Sequence, residues 1–144
     1  MTTGVLGTNA RDVMMPVQQV LSFVLNFNTP GASSGVKIGT LPANAVVQAW
    51  RANVETLFNA GSTNPITIGT TATGAEIAAS ASITSGTAGV YTGSPAAAAG
   101  WKQQTADQDV FCSYIPTGTA ATTGKAIITI TFVSLVATNS AAAA

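Results

Sequence analysis

Residues Lys125 to Val136 alternate in a way that an extended chain uses and a helix does not. Ala126, Ile128, Ile130 and Phe132 fall on one side of such a chain, and Lys125, Thr129 and Thr131 fall on the other, which Ile127 and Val133 make partly apolar. A period of two marks a strand with one face against a core, and the β-branched content suits a pleated surface. Val20 to Phe27 repeats the pattern, with Leu21, Phe23, Leu25 and Phe27 on one face and Ser22 and Asn26 on the other. A chain with such segments near both ends is committed to a sheet.

Shorter strand candidates lie between them, at Val36 to Thr40, Pro65 to Thr70, Gly89 to Thr92 and Asp109 to Ile115. Thr29-Pro30-Gly31, Leu41-Pro42-Ala43, Asn59-Ala60-Gly61-Ser62, Ser94-Pro95 and Pro116-Thr117-Gly118 punctuate them with residues that preset a turn or tolerate positive φ. Many short strands separated by such turns point to a sandwich, jelly roll or barrel.

The segment Ala45 to Phe58 fits two periods. Trp50, Ala52, Val54 and Phe58 share a strand face opposite Arg51, Asn53 and Glu55, yet Val47, Trp50, Val54 and Leu57 follow helical spacing, with Asn44 placed to cap a helix and Asn59-Ala60-Gly61 to end it. Strand is the reading adopted, because its neighbours are strands. Ala75 to Ser82 is alanine-rich and is expected to form one or two helical turns within a loop, and Ala96 to Gly100 reads as a low-complexity connector. No internal repeat is apparent. The length of 144 residues fits one domain. The expected division is an N-terminal arm at 1–18, carrying Met14-Met15 and Pro16, a β-sandwich at 19–137 and a C-terminal tail at 138–144.

Composition then restricts function. Charged residues make up 7% of the chain, against roughly a quarter in ordinary globular domains, and the net charge is +0. Alanine, threonine, glycine and serine account for about half of the residues, so the surface must be largely neutral. Molecules near zero charge do not repel one another and associate readily, which makes assembly a natural fate. The same neutrality removes the electrostatic attraction that dominates nucleic-acid binding. Cys112 is the lone cysteine, so no intramolecular disulfide framework is possible. The start of the chain lacks the charged, then continuously apolar pattern of a signal peptide, and no apolar run approaches the ~20 residues of a membrane-spanning helix. Synthesis in the cytoplasm is expected, with no membrane partner.

Catalytic chemistry is hard to assemble. Histidine is absent, which removes the usual general base and the commonest metal ligand. Cys112 sits in a strand candidate among Phe111, Ser113 and Tyr114 and reads as a buried small hydrophobe. Asp107 and Asp109 share a spacing that suits a weak calcium site or an acid/base pair, but calcium takes about six to eight oxygens and the other acids, Asp12, Glu55 and Glu76, are dispersed. The run Gly118 to Lys125 looks like a phosphate loop, yet it has five residues between its glycines, Ala126 follows the lysine, and a strand follows where a helix is required. Trp50, Tyr91, Trp101 and Tyr114 could line a sugar groove, but they are scattered and rings in a small β-domain more often fill a core. No catalytic, cofactor-binding or metal-binding residue is expected, and no cofactor.

The runs Gly35 to Val47, Phe58 to Asn64, Ile66 to Thr70, Asp109-Val110 and Tyr114 to Gly124, with the last strand, resemble a group of small phage virion proteins over roughly residues 20–136. These are capsid cement, or decoration, proteins such as those of short-tailed Bordetella phages. The resemblance implies a jelly-roll-like antiparallel β-sandwich bound to the outside of an HK97-type capsid, with homodimers clamping major capsid subunits together. It carries over no active-site residue. The rival expectation is a phage fibre or surface-adhesion module that binds a glycan or a host protein.

Overall fold

In the computed structural model, which describes residues 18–96 and 105–134, the chain forms strands β1 (Gln18–Asn26), β2 (Val36–Leu41), β3 (Ala45–Thr56), β4 (Ile66–Gly69), β5 (Gly89–Gly93), β6 (Gln108–Tyr114) and β7 (Lys125–Ser134). Two single 3-10 turns accompany them, at Ala32–Ser34 and Ser80–Ser82. One sheet has the order β1-β7-β3-β5 and the other β2-β6-β4, and every pairing is antiparallel. Successive strands alternate between the two sheets, so every connection crosses from one layer to the other. The fold is an all-β, jelly-roll-like sandwich, among the architectures that alternation and turns point to and the one that the resemblance implies. It also explains why the chain has no Asn-Gly or Asp-Gly hairpin signal, since no two consecutive strands pair. The expected arm, apart from Gln18, and the expected tail lie outside the described residues.

The inner faces interlock as the period-two reading requires. Leu25, Ala126, Ile128, Ile130, Phe132, Trp50, Ala52 and Val54 from the larger sheet are buried against Leu41, Ile66, Ile68, Val110, Cys112 and Tyr114 from the smaller. Layer spacing in such sandwiches is set by interdigitated side chains, and here Gly39 of β2 leaves room for the Leu21 side chain, which a Cβ at that position would strike. At the end of the sandwich, Gly124 adopts φ 148 with the Phe58 ring against it, a position that a larger residue would fill only with strain.

Ala45 to Thr56 is strand, and its helical look has a physical source. Val47 pairs with Phe132 and Ala49 with Thr131, so Gln48 is an extra residue, a β-bulge that inverts the alternation. Val47 and Trp50, three apart, therefore both point inward, and Val47, Trp50 and Val54 are all buried. Leu57, the last member of the helical series, is exposed. Asn44 caps no helix; it takes φ 68 in the turn closed by the Ala45 N–H donating to the Pro42 carbonyl.

Ala75 to Ser82 contains one of the helical turns that its alanines suggest, the 3-10 turn at Ser80–Ser82, while Ala78 bridges to Ile68 of β4. Ile77 and Ala78 are buried, and their N–H groups donate to the Ile68 carbonyl at 3.0 and 2.9 Å. At Ile77 and Ala78, pairing with β4 and burial of Ile77 outweigh alanine's helix propensity, which tertiary contacts readily override.

Candidate interaction surface

The larger sheet sets four strands side by side, against three in the smaller. Register sets the rows of its outer face. Val20 lies beside Thr131, which lies beside Ala49; Ser22, Thr129, Arg51 and Thr92 form the next row, and Val24, Ile127, Asn53 and Val90 the one after. Val20, Val24 and Val90 are 60%, 45% and 50% exposed. The charges on these rows are Arg51 and, at one end, Lys125 and Glu55, which neutralise each other at 2.7 Å. At the opposite end the Gln18 amide donates to Gln48 Oε1. The middle of the face is valines, an isoleucine, hydroxyls, one amide and the exposed Arg51. An apolar face of this kind favours burial against a partner, while its hydroxyls keep the free protein wetted.

The face over the smaller sheet is different. Lys37 Nζ and Thr40 Oγ1 both reach Asp109 Oδ1 at 2.8 Å, and the Thr67 and Ser113 hydroxyls bond each other at 2.6 Å. Asp107 accepts from the Ala43 N–H at 2.9 Å, fastening the turn before β3. Asp107 and Asp109 thus act on β2 and the turn that follows, and they do not converge on a common point. Hydrogen bonds from Lys37 and then Thr40 hold the Asp109 carboxyl below the usual carboxylate range against a small burial effect. For Glu76, burial pushes upward, but bonds from its own N–H, the Thr71 hydroxyl and the N–H groups of Thr70 and Thr71 outweigh it and keep the pKa low. Among the described residues no three His, Cys, Asp or Glu side chains cluster where a metal ion would sit.

The remaining chemical candidates are structural. Burial pushes the Cys112 thiol up to about 12, so at neutral pH it is not a thiolate. In the phosphate-loop mimic, the Thr122 and Thr123 N–H groups donate to Asn59 Oδ1 at 2.8 and 2.9 Å, leaving them no anion to hold. That connector is laced to the loop between β3 and β4, with Gly61 and Ser62 N–H donating to the Thr119 and Thr117 carbonyls. Asn64 joins the two loops and the core: its Oδ1 accepts from Tyr114 Oη at 2.7 Å and from the Ala60 N–H, and its carbonyl accepts from the Ser85 hydroxyl. Trp50 and Tyr114 are buried, Tyr114 with its ring 4.7 Å from that of Phe58, and Trp101 lies outside the described residues. The aromatic groove that a glycan needs is not formed by Trp50, Tyr91 and Tyr114.

The interaction surface was not singled out from sequence, although Ile127 and Val133 on the supposed solvent side of β7 were its signal. On β1, Val24 lies opposite Ile127, and Val20 points to the same face opposite Thr131.

No family model matches the chain, and no curated protein matches it. Solved structures do. A chain from the capsid of Ralstonia phage GP4 is 20% identical with a TM-score of 0.60, covering 87% of this chain and 88% of its own. A chain from the acidic stable capsid of Helicobacter pylori bacteriophage KHP30 is 14% identical with a TM-score of 0.57, over 81% of this chain and 87% of its own. At these identities the likeness shows a shared fold.

Proposed function

We propose that this chain is a structural virion protein, not an enzyme, that binds the outside of an HK97-type phage capsid and cements neighbouring major capsid subunits. The observation that carries the proposal is the broad, nearly charge-free outer face of the four-stranded sheet. Two phage capsid chains with the same fold support it, as does the sequence resemblance to cement proteins of the Bordetella phage type. On this reading the protein is made in the host cytoplasm and acts as a homodimer on the capsid exterior.

The mechanism is physical. A protein that binds the assembled shell and not free subunits stabilises the shell by mass action. Apolar and main-chain contacts that straddle two subunits must be broken before the subunits separate, and many copies multiply a modest contact. The neutral face makes this attraction insensitive to salt, because screening acts on charges. A fibre or adhesion module that stacks sugars fits less well, since Trp50 and Tyr114 fill the core.

The test is to mix purified protein with shells that lack it. Saturable binding at a fixed ratio to the major capsid protein, with a raised shell melting temperature, is the expected result. Failure to bind contradicts the proposal.

A further inference from the structure

Among the described residues, β1 is the sheet-ending strand left unguarded. Natural edges are blunted by charge, proline, bulges, shortness or a covering segment. β2 carries Lys37 and a bulge between Lys37 and Gly39, β4 has four residues and is covered by Ala78, and β5 has five residues with a glycine at each end. β1 runs nine residues, QQVLSFVLN, without charge, proline or glycine, and its register with β7 is unbroken. The Phe27 N–H donates to the Gly124 carbonyl, one step beyond the pairing of Asn26 with Lys125. By alternation along an antiparallel ladder, the odd-numbered residues bond β7, and Val20, Ser22 and Val24 aim their N–H and C=O groups away from it.

The strand also reads nearly the same in both directions about Ser22. Val20 mirrors Val24, Leu21 mirrors Phe23, and Gln18 mirrors Asn26, while Gln19 against Leu25 is the pair that departs from the symmetry. Leu21 and Phe23 face the core yet stay only half-buried, because the sheet stops beside them. We infer that the occupant of this edge is a second copy of the chain, its β1 antiparallel to the first about a two-fold axis at Ser22. The inference deepens the homodimer proposed above and rests on it.

In that arrangement Val20 of one copy faces Val24 of the other and each exchanges both main-chain bonds, as the two Ser22 residues do. Leu21 meets Phe23 on the inner side, covering the flank that one copy leaves open. The two four-stranded sheets become one continuous sheet, and their neutral outer faces merge into a single surface wide enough to reach across a subunit boundary. An isologous contact of this kind is self-limiting, since the two edges consume each other.

The test combines three variants measured by light scattering, with circular dichroism to confirm the fold. Ser22→Pro removes an outward N–H that β7 does not use, which an edge strand tolerates. Val24→Lys sets a charge opposite Val20. Val90→Lys, on β5 at the far edge, is the control. The expected result is a dimeric wild type and control, with both β1 variants folded and monomeric at the same concentration. Ser22→Cys should also cross-link to itself on mild oxidation, because opposed Cα atoms in such a pair are about 5.5 Å apart, within disulfide range. Dimers that survive both β1 substitutions, without the cross-link, overturn the β1 contact while leaving the dimer intact. A monomeric wild type overturns the dimer and the contact together.

Discussion

The two outer faces of the sandwich have been finished differently. Over the smaller sheet, polar groups bond their neighbours: Lys37 and Thr40 to Asp109, and Thr67 to Ser113, which is 1% exposed. Over the larger sheet, bonded pairs stand at the two ends, and between them Val20, Val24, Ile127 and Val90 flank a row of Ser22, Thr129, Arg51 and Thr92. The first face is complete without a partner. The second gains by having one, because removing its valines from water is favourable and little charge must be desolvated. On the proposed function, stability and assembly fall on different residues of one small domain.

That separation can be broken or sharpened by substitution. The largest loss of stability is expected inside. Ile128→Ala on β7 leaves a cavity between the sheets and should cost about 2–5 kcal/mol in denaturant unfolding; a loss under about 1 kcal/mol would mean that the larger sheet is not packed as described. Asn64→Ala strips Tyr114 and the Ala60 N–H of their acceptor, and a buried donor without a partner costs about 1–3 kcal/mol. Neither substitution touches the open face, so at temperatures where the variants remain folded, shell binding should be unchanged.

Acid offers a test confined to the bonded face and the adjoining loop. Asp109 and Glu76 have folded-state pKa values below their ordinary ones. Their contribution is therefore present above the unfolded carboxylate pKa and is lost as pH falls through the depressed folded values. Melting temperature should drop on acidification below about pH 4, and Asp109→Asn with Glu76→Gln should flatten that drop. An unchanged slope would show that these bonds contribute nothing. Smaller still is the effect of Lys37→Met on melting temperature, because an exposed ion pair is screened by water and contributes little.

Much of the fold was legible because burial in a sandwich writes itself as alternation. Ala126, Ile128, Ile130 and Phe132 point inward as their spacing requires. Where the chain departs from simple alternation, local reading weakens: the bulge at Gln48 gives β3 a helix-like spacing, and pairing of Ile77 and Ala78 with β4 draws an alanine-rich stretch into an extended form. Sheet order was out of reach, because every pairing joins strands that are not consecutive. The interaction surface was half legible. Ile127 and Val133 announce an apolar outer side of β7, but only register reveals that Val24 lies across from Ile127, with Val20 and Val90 on the same face.

The central claim is that the outer face of the four-stranded sheet holds the shell. Its most direct test is binding of an Ala49→Lys, Val90→Lys double variant to shells that lack the protein. Both positions are exposed, on β3 and β5, away from the β1 edge, and surface changes of this kind alter stability by about 0.5 kcal/mol or less. The account predicts a variant that melts with the wild type and no longer binds or stabilises the shell. Wild-type binding by the folded double variant would contradict it.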